Sequence, residues 1–336
     1  MKFSLRLNND LPVLRYVELA RAAEQLGFDQ FWVSHDLFLR SSWVVLSAVA
    51  QATERIQIGT CIVNPYTVNL AEIAMGAATL DELSGGRFAL GLGAGAGDFL
   101  GWIGLPQEHP LAAMRESIAV LRRLLSGQRA AFDGTFIRGW TEDAYLRMPS
   151  RPVPIYLGAM SPRMLALIGE CADGGLPLLF PPEHFANVEP IVRAGAAAAG
   201  RDMGAVDLAA CIWCSISSDR DAAIDALKEK IAYYGHTLSP TIMQQLGLTP
   251  ADVAPLRQAV VVEGDMAKGK RFVTDAMLRI GIVGDASDVR RRLAGLTRLG
   301  ARHVSFGPPL GPDPLEAITV IGQEIIAKWE DRLDEA

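Results

Sequence analysis

The residues of this 336-residue chain whose types suit chemistry stand at the ends of short apolar runs. His35 and Asp36 close "FDQFWVSHD" (28–36), and Asp98 follows the glycine-rich "RFALGLGAGAG" (87–97). A carboxylate beside bare backbone suits proton transfer or a hydrogen bond to a reacting group. The bland alternative for His35 and Asp36 is a hydrogen-bonded pair that closes a loop. "GAMSPR" puts Gly158, Ala159, Met160 and Ser161 just ahead of a helical run. Free backbone N–H groups and the positive helix end there suit a phosphate. Gly91-x-Gly93-x-x-Ala96 meets the loosest dinucleotide fingerprint. That motif belongs at the first strand–turn–helix of a nucleotide domain. Here three strand–helix units precede it, and Asp98 to Trp102 opens no capped helix at once. The glycines, Gly95 among them, therefore read as a strand exit, where missing side chains let a flat ligand lie against the backbone. "CIWC" (Cys211 to Cys214) has redox spacing but sits in a strand-like run, which puts residues three apart on opposite faces. These thiols read as buried, and no His/Cys grouping has zinc spacing, so no metal is expected.

The elements that must position these residues alternate. Strand-like runs cover 2–7, 28–34, 56–63, 87–93, 153–158, 174–180, 206–217 and 301–307. Helical runs cover 11–26, 42–53, 70–83, 110–126, 161–172, 183–199, 219–234 and 314–334. Such alternation predicts a parallel sheet buried on both faces. Eight units with no polar linker favour an α/β fold of the (β/α)8 TIM-barrel type, one domain over 1–336. The excess length falls near 128–150, a hairpin turning at Asp133-Gly134, and near 237–280, a helical excursion. A helix capped near Asp285 or Ser287 then precedes the last strand.

In a barrel the chemistry gathers at the C-terminal strand ends. Those ends carry Arg6, then His35 and Asp36, then Cys61, Ile62, Asn64 and Tyr66, then Gly95 and Asp98, then Gly158 to Ser161, and Trp213. Arg6, His35, Asp36, Asn64 and Asp98 should converge on one pocket, with Tyr66 and Trp213 as substrate contacts. His109, His184, His236 and His303 fall in loops or excursions and are weaker candidates. Asp81, Glu82 and Arg87 precede the fourth strand, at the opposite end, and read as structural.

The net charge of −6 with dispersed Lys and Arg argues against nucleic acid and membrane surfaces as partners. "MKFSLRLNND" lacks the apolar core of a signal peptide, so a cytoplasmic location is expected.

At these residues the chain resembles the bacterial-luciferase-like superfamily of flavin and deazaflavin oxidoreductases. "AEQLGFDQFWVSHD", "IGTCIVNPYTVNLAEIAMGAATLDELSGGRFALGLGAGAGD", "PVPIYLGAMSPRMLALIGECADG" and "VGDASDVRRRLAGL" carry the resemblance. "NPYT" and "TLDELSGGRFALGLGAGAGD" are most similar to the coenzyme F420-dependent methylene-tetrahydromethanopterin reductase group. The resemblance implies a luciferase-like TIM barrel with the cofactor ring over the strand ends. It implies a non-prolyl cis peptide at Cys61–Ile62 against the ring, and a phosphate loop at Gly158, Ala159, Met160 and Ser161. It implies hydride transfer between the reduced deazaflavin and a C=N, C=C or C=O bond of a small-molecule substrate, in a homodimer or higher homo-oligomer. An FMN-dependent monooxygenase or reductase, and a non-catalytic flavin-binding barrel, are the alternatives. Two positions depart from the reductase group: His35-Asp36 stands where that group has Asp-His, and Arg6 where it has Glu. Arg6 then either holds an acidic or carbonyl substrate group or pairs with Asp98 as a structural contact.

Overall fold

Strand-like runs this apolar have no solvated face, and they assemble edge to edge. The computed structural model describes residues 1–329. Its ten strands are β1 (Lys2–Leu7), β2 (Gln30–Val33), β3 (Gln57–Thr60), β4 (Phe88–Leu92), β5 (Ile155–Leu157), β6 (Gly174–Gly175), β7 (Asp207–Leu208), β8 (Ala210–Ile216), β9 (Ile282–Gly284) and β10 (His303–Leu310). They form one sheet in the order β7-β6-β5-β4-β3-β2-β1-β10-β8-β9. Every ladder is parallel. All residues of β4 and β8 are buried, as a sheet covered on both faces requires.

Helices α1 (Val13–Gln25), α2 (Ser42–Ala52), α3 (Leu70–Leu83), α4 (Gly97–Gly101), α5 (Pro110–Leu125), α6 (Pro162–Cys171), α7 (Phe185–Ala198) and α8 (Arg220–Tyr234) follow the strands. The expected excursion over 237–280 is α9 (Pro240–Leu246), α10 (Pro250–Arg257), α11 (Met266–Arg271) and α12 (Asp275–Leu278). Then come α13 (Ala286–Arg298) and α14 (Pro314–Val320). Several starts are fixed by side-chain caps, each satisfying an orphan amide. Asn69 accepts from Ala71, Asp219 from Ala222, and Asp285 from Ser287 and Asp288.

Five details differ from the expectation. The sixth strand shrinks to β6 and one bridge, Leu178 to Cys211, because Pro177 has no amide for a ladder and the chain bends at a cis Phe180–Pro181 bond. The seventh divides at Ala209: β7 pairs with β6, while β8 pairs with β10 and β9. The run 207–216 thus supplies β7 at one end of the strand order and, next to β9 at the other end, β8. Strand β9, a three-residue run, was not foreseen, and a single turn of helix, α4, begins at Gly97 where none was expected. The last helix passes into a wider turn over Ile321–Ile326, and positions 330–334 of its expected span lie outside the described residues.

The first insertion is a hairpin closed by the antiparallel bridge Phe132 to Trp140. Glu116 of α5 accepts the amides of Thr135, Phe136 and Ile137 at 2.9 Å each. At the N-terminal side of the sheet, Arg87 directs its guanidinium to Ser84 O, Thr53 Oγ1 and O, Ile56 O and Ala50 O. That spends its full set of donors on one knot of chain, so Arg87 is structural, as its position implied. Asp81 pairs with Arg151.

Candidate active site at the strand ends

The end of β3 shapes the mouth. The Thr60 hydroxyl bonds both the carbonyl and the amide of Gly91, at 2.9 and 3.0 Å, locking β3 to β4. The next bond, Cys61–Ile62, is cis, as the resemblance implied. The half-buried Ile62 side chain lies where other residues leave room for it. A Cβ on Gly93 would meet Ile62 Cγ1 at 2.8 Å, and one on Gly158 would meet Ile62 Cγ2 at 2.9 Å. A Cβ on Gly91 would strike Thr60 O at 1.8 Å. Gly95, with φ +73°, likewise packs on the Asn64 amide. Asn64 fixes the turn by accepting Tyr66 N at 2.8 Å and donating to Ala94 O at 3.1 Å. Gly91, Gly93 and Gly95 are thus required by the protein's own close approach, a reason the sequence reading did not give.

Arg6, Asp36 and Cys61 come together. Arg6 is buried and donates Nε to Ser305 Oγ at 3.2 Å and an Nη to Ile212 O at 3.1 Å. Burial pushes the Cys61 thiol up to about 12; Asp36 and Cys211 push the same way and Arg6 opposes them. Asp36 accepts from the Ser34 hydroxyl at 3.1 Å. Burial raises its carboxyl above the usual range, against the Ser34 bond and the positive charges of Lys230 and His35. Asn9 holds the loop by bonding the Asp36 carbonyl and amide.

The other candidates lie apart. His35 is not bonded to Asp36: its Nδ1 contacts the Ser42 hydroxyl at 2.8 Å and accepts the Ser42 amide at 3.3 Å, at the start of α2. Burial holds its imidazole below the ordinary value. Tyr66 turns outward, donates to Glu108 O at 2.6 Å and packs on Phe136 of the hairpin. Asp98 is exposed on α4, and the His236 imidazole in the second insertion feels its charge. Arg6 and Asp98 form no pair; Arg6 is bonded to β8 and β10 instead. Trp213 is buried against Phe180 and Tyr234. In the loop after β5, Ala159 is buried while Met160 and Ser161 are exposed. Ser161 starts α6 with no side-chain cap, so the first-turn amides remain open to an outside acceptor.

Two features escaped the sequence reading. Lys230 of α8 is half-buried, with Nζ 4.3 Å from the Tyr234 ring centre and 5.5 Å from that of Trp213. Its signal was available, since Lys230 and Tyr234 are four apart on one helix. His303, placed in a loop from sequence, begins β10 and is buried. Its Nδ1 lies 2.8 Å from Asp207 and its Nε2 2.8 Å from the Ser4 hydroxyl. The order Ser–His–Asp is that of a nucleophilic triad. Ser4 is fully enclosed, however, and Asp207 is also held by Lys2 and by Tyr156, so this network closes the N-terminal side of the sheet.

Residues 4–303 match the family model described as luciferase-like monooxygenase. The 5,10-methylenetetrahydromethanopterin reductase of Methanolobus tindarius is 35% identical over 328 residues, 97% of this chain and 100% of that one. That of Archaeoglobus fulgidus is 34% identical over 335 residues, 98% and 99% of the two chains. The solved coenzyme F420 dependent tetrahydromethanopterin reductase of Methanopyrus kandleri superposes with a TM-score of 0.90 at 30% identity, covering 98% of this chain and 99% of that one. With a matching family model over nearly its whole length and a sheet of the same kind, the chain belongs to the luciferase-like monooxygenase family.

Proposed function

We propose that the chain is a coenzyme F420-dependent oxidoreductase that moves a hydride between the reduced deazaflavin and a C=N, C=C or C=O bond of a small molecule, in the manner of the methylenetetrahydromethanopterin reductases. End-to-end similarity to that group carries the reading, and the mouth fits the cofactor. The uncapped start of α6 at Ala159, Met160 and Ser161 would receive its phosphate, and the half-buried Ile62 bulge would back its ring. When bound, the deazaflavin supplies or accepts the hydride. The protein's part is positional and electrostatic. Asn64 and Gly95 keep the β3 turn in place, Cys61 and Ile62 present an apolar surface, and Trp213 and Tyr66 bound the acceptor's space on different sides. We assign proton handling to Asp36 and Asp98. Asp36 is the one whose burial raises its carboxyl, against the charges of Lys230 and His35, so that it can carry a proton at Oδ2 nearer neutrality. His35 positions α2 and the loop bearing Asp36.

On the same reading, β7 and β8 count as one strand of a closed eight-stranded barrel, and 1–336 is one domain. No described helix is long and apolar enough to cross a membrane; the cytoplasm remains the proposed location. A second copy of the chain is the proposed protein partner, with exposed Val44 of α2 and Met75 of α3 beside a cavity of about 720 Å3 as the contact face.

Titration of the purified protein with F420 and with FMN tests the cofactor. The expected result is micromolar F420 binding. Reduced F420 should be consumed only when an acceptor is present, and no faster in air than without oxygen. Tight FMN binding with no F420 binding would overturn the reading.

A further inference from the structure

Two cations at the mouth form no ion pair among the described residues, although the charges of Asp10 and Asp36 reach Lys230. The Lys230 ammonium rests on the faces of Tyr234 and Trp213, which attract a cation but accept no strong hydrogen bond. An ammonium carries three donors and no acceptor, so these remain open to a ligand. The Arg6 guanidinium bonds only the neutral Ser305 hydroxyl and the Ile212 carbonyl. Among the described residues neither side chain forms an ion pair. The nearby carboxylates are engaged otherwise: Asp36 accepts from Ser34, and Asp10 from Asn8 at 3.4 Å. Arg6 stands on β1 and Lys230 on the helix after β8, whereas the proposed cofactor phosphate loop follows β5, four strands from β1.

We propose that Arg6 and Lys230 form an oxyanion subsite for the hydride acceptor, so that this chain takes a substrate bearing a carboxylate or a phosphate. The assignment of that oxyanion to the acceptor rests on the proposed function; the subsite itself does not. Arg6 offers a planar fork fixed by β8 and β10, and Lys230 a mobile point charge held between two rings. Burial lowers the Lys230 amine to about 8, against Asp10 and Asp36 and with Arg6. Its charge is therefore full near pH 7 and lost as pH rises through that value, and oxyanion binding falls with it.

Inorganic phosphate and succinate serve as probes on the full chain, by calorimetry and by competition with acetic anhydride labelling read by mass spectrometry. At least one of the two should protect Lys230 and leave the exposed Lys328 unprotected; which one does so identifies the acceptor's charged group. Lys230→Met, which keeps an apolar stem between the rings, should weaken that binding by about tenfold or more, the worth of a charge-assisted hydrogen bond. Lys230→Arg should recover most of it, and binding to the unmodified protein should weaken between pH 7 and pH 9. No protection by either probe, or equal affinity in Lys230→Met, overturns the proposal. F420 binding by the same samples, followed by its fluorescence, separates the two readings. Protection without F420 binding sinks the proposed function and leaves the subsite, and the reverse sinks the subsite alone.

Discussion

Ile62 decides what two strands away from it are allowed to be. Its side chain fills the volume that a Cβ on Gly93 or Gly158 would need, so those glycines are packing residues whose effect would reach the proposed ring site through Ile62. Gly93→Ala should lower stability by about 1–3 kcal/mol, the usual range for overpacking. It should also weaken F420 binding by displacing Ile62. Ile62→Ala in the same chain should recover much of the stability but not the binding. Urea midpoints and fluorescence titrations of the single and double variants measure this coupling; purely additive stabilities would show that the contact is not shared. At this scale the sequence named Cys61 and Ile62 correctly as the cis bond and missed the packing reason for the glycines. A glycine pattern reports close approach, and does not say whether ligand or protein approaches.

At the scale of the elements, strands are pinned from below by buried polar groups. Asp207 of β7 joins Lys2 of β1, Tyr156 of β5 and His303 of β10 in one network. Burial alone would raise its carboxyl, but the bonds from His303 and Lys2 prevail and hold it well below the usual range. A depressed carboxylate adds stability that is complete above the unfolded value of about 3.9 and is lost as pH falls toward the folded one. Asp207→Asn should therefore cost most at pH 7 and progressively less below about pH 4, where the unmodified protein loses the same contribution. His303→Leu should cost about 3 kcal/mol, the lower end for breaking a buried pair, because the Asp207 side chain is 21% exposed. Thermal melts across pH would show it; a pH-independent difference for Asp207→Asn would mean the carboxylate is not charged in the folded protein. The strands and most helices were legible because continuous apolar runs and caps such as Asn69, Asp219 and Asp285 are local signals. The short β6, the break at Ala209 and the burial of His303 were not. Each depends on partners far along the chain: Cys211 for Leu178, and Asp207 and Ser4 for His303.

At the scale of the molecule, the outer surface carries exposed apolar side chains on neighbouring helices. Val44 is 61% and Met75 50% exposed, on helices α2 and α3 that pack together. If a second copy covers this face, Val44→Asp with Met75→Asp should shift the sedimentation of the protein toward the monomer without lowering its melting temperature in the monomeric state. An unchanged sedimentation coefficient would remove this face from the proposal. Sequence reading anticipated the architecture because eight repeats of one local pattern leave few ways to build a sheet. It named Arg6 and Trp213 but not Lys230, which meets Trp213 and feels the charge of Arg6 only after β8 has been laid against β10 and β10 against β1.

The second insertion has its own apolar cluster, in which Leu246, Leu256 and Met277 pack against Leu227 and Ile231 of α8. It leaves the sheet after β8, by way of α8, and returns to the same strand as β9, pairing Ile282 with Cys214. Entry and exit thus share one strand, and no other ladder depends on the chain between them. Residues 236–280 can therefore be exchanged without breaking a ladder, but a relative's segment joined at Gly235 and Gly281 would have to fit Trp213, Leu227 and Ile231, which complete its interior from outside. Arg6 and Lys230, on β1 and α8, would stay with the recipient through such an exchange.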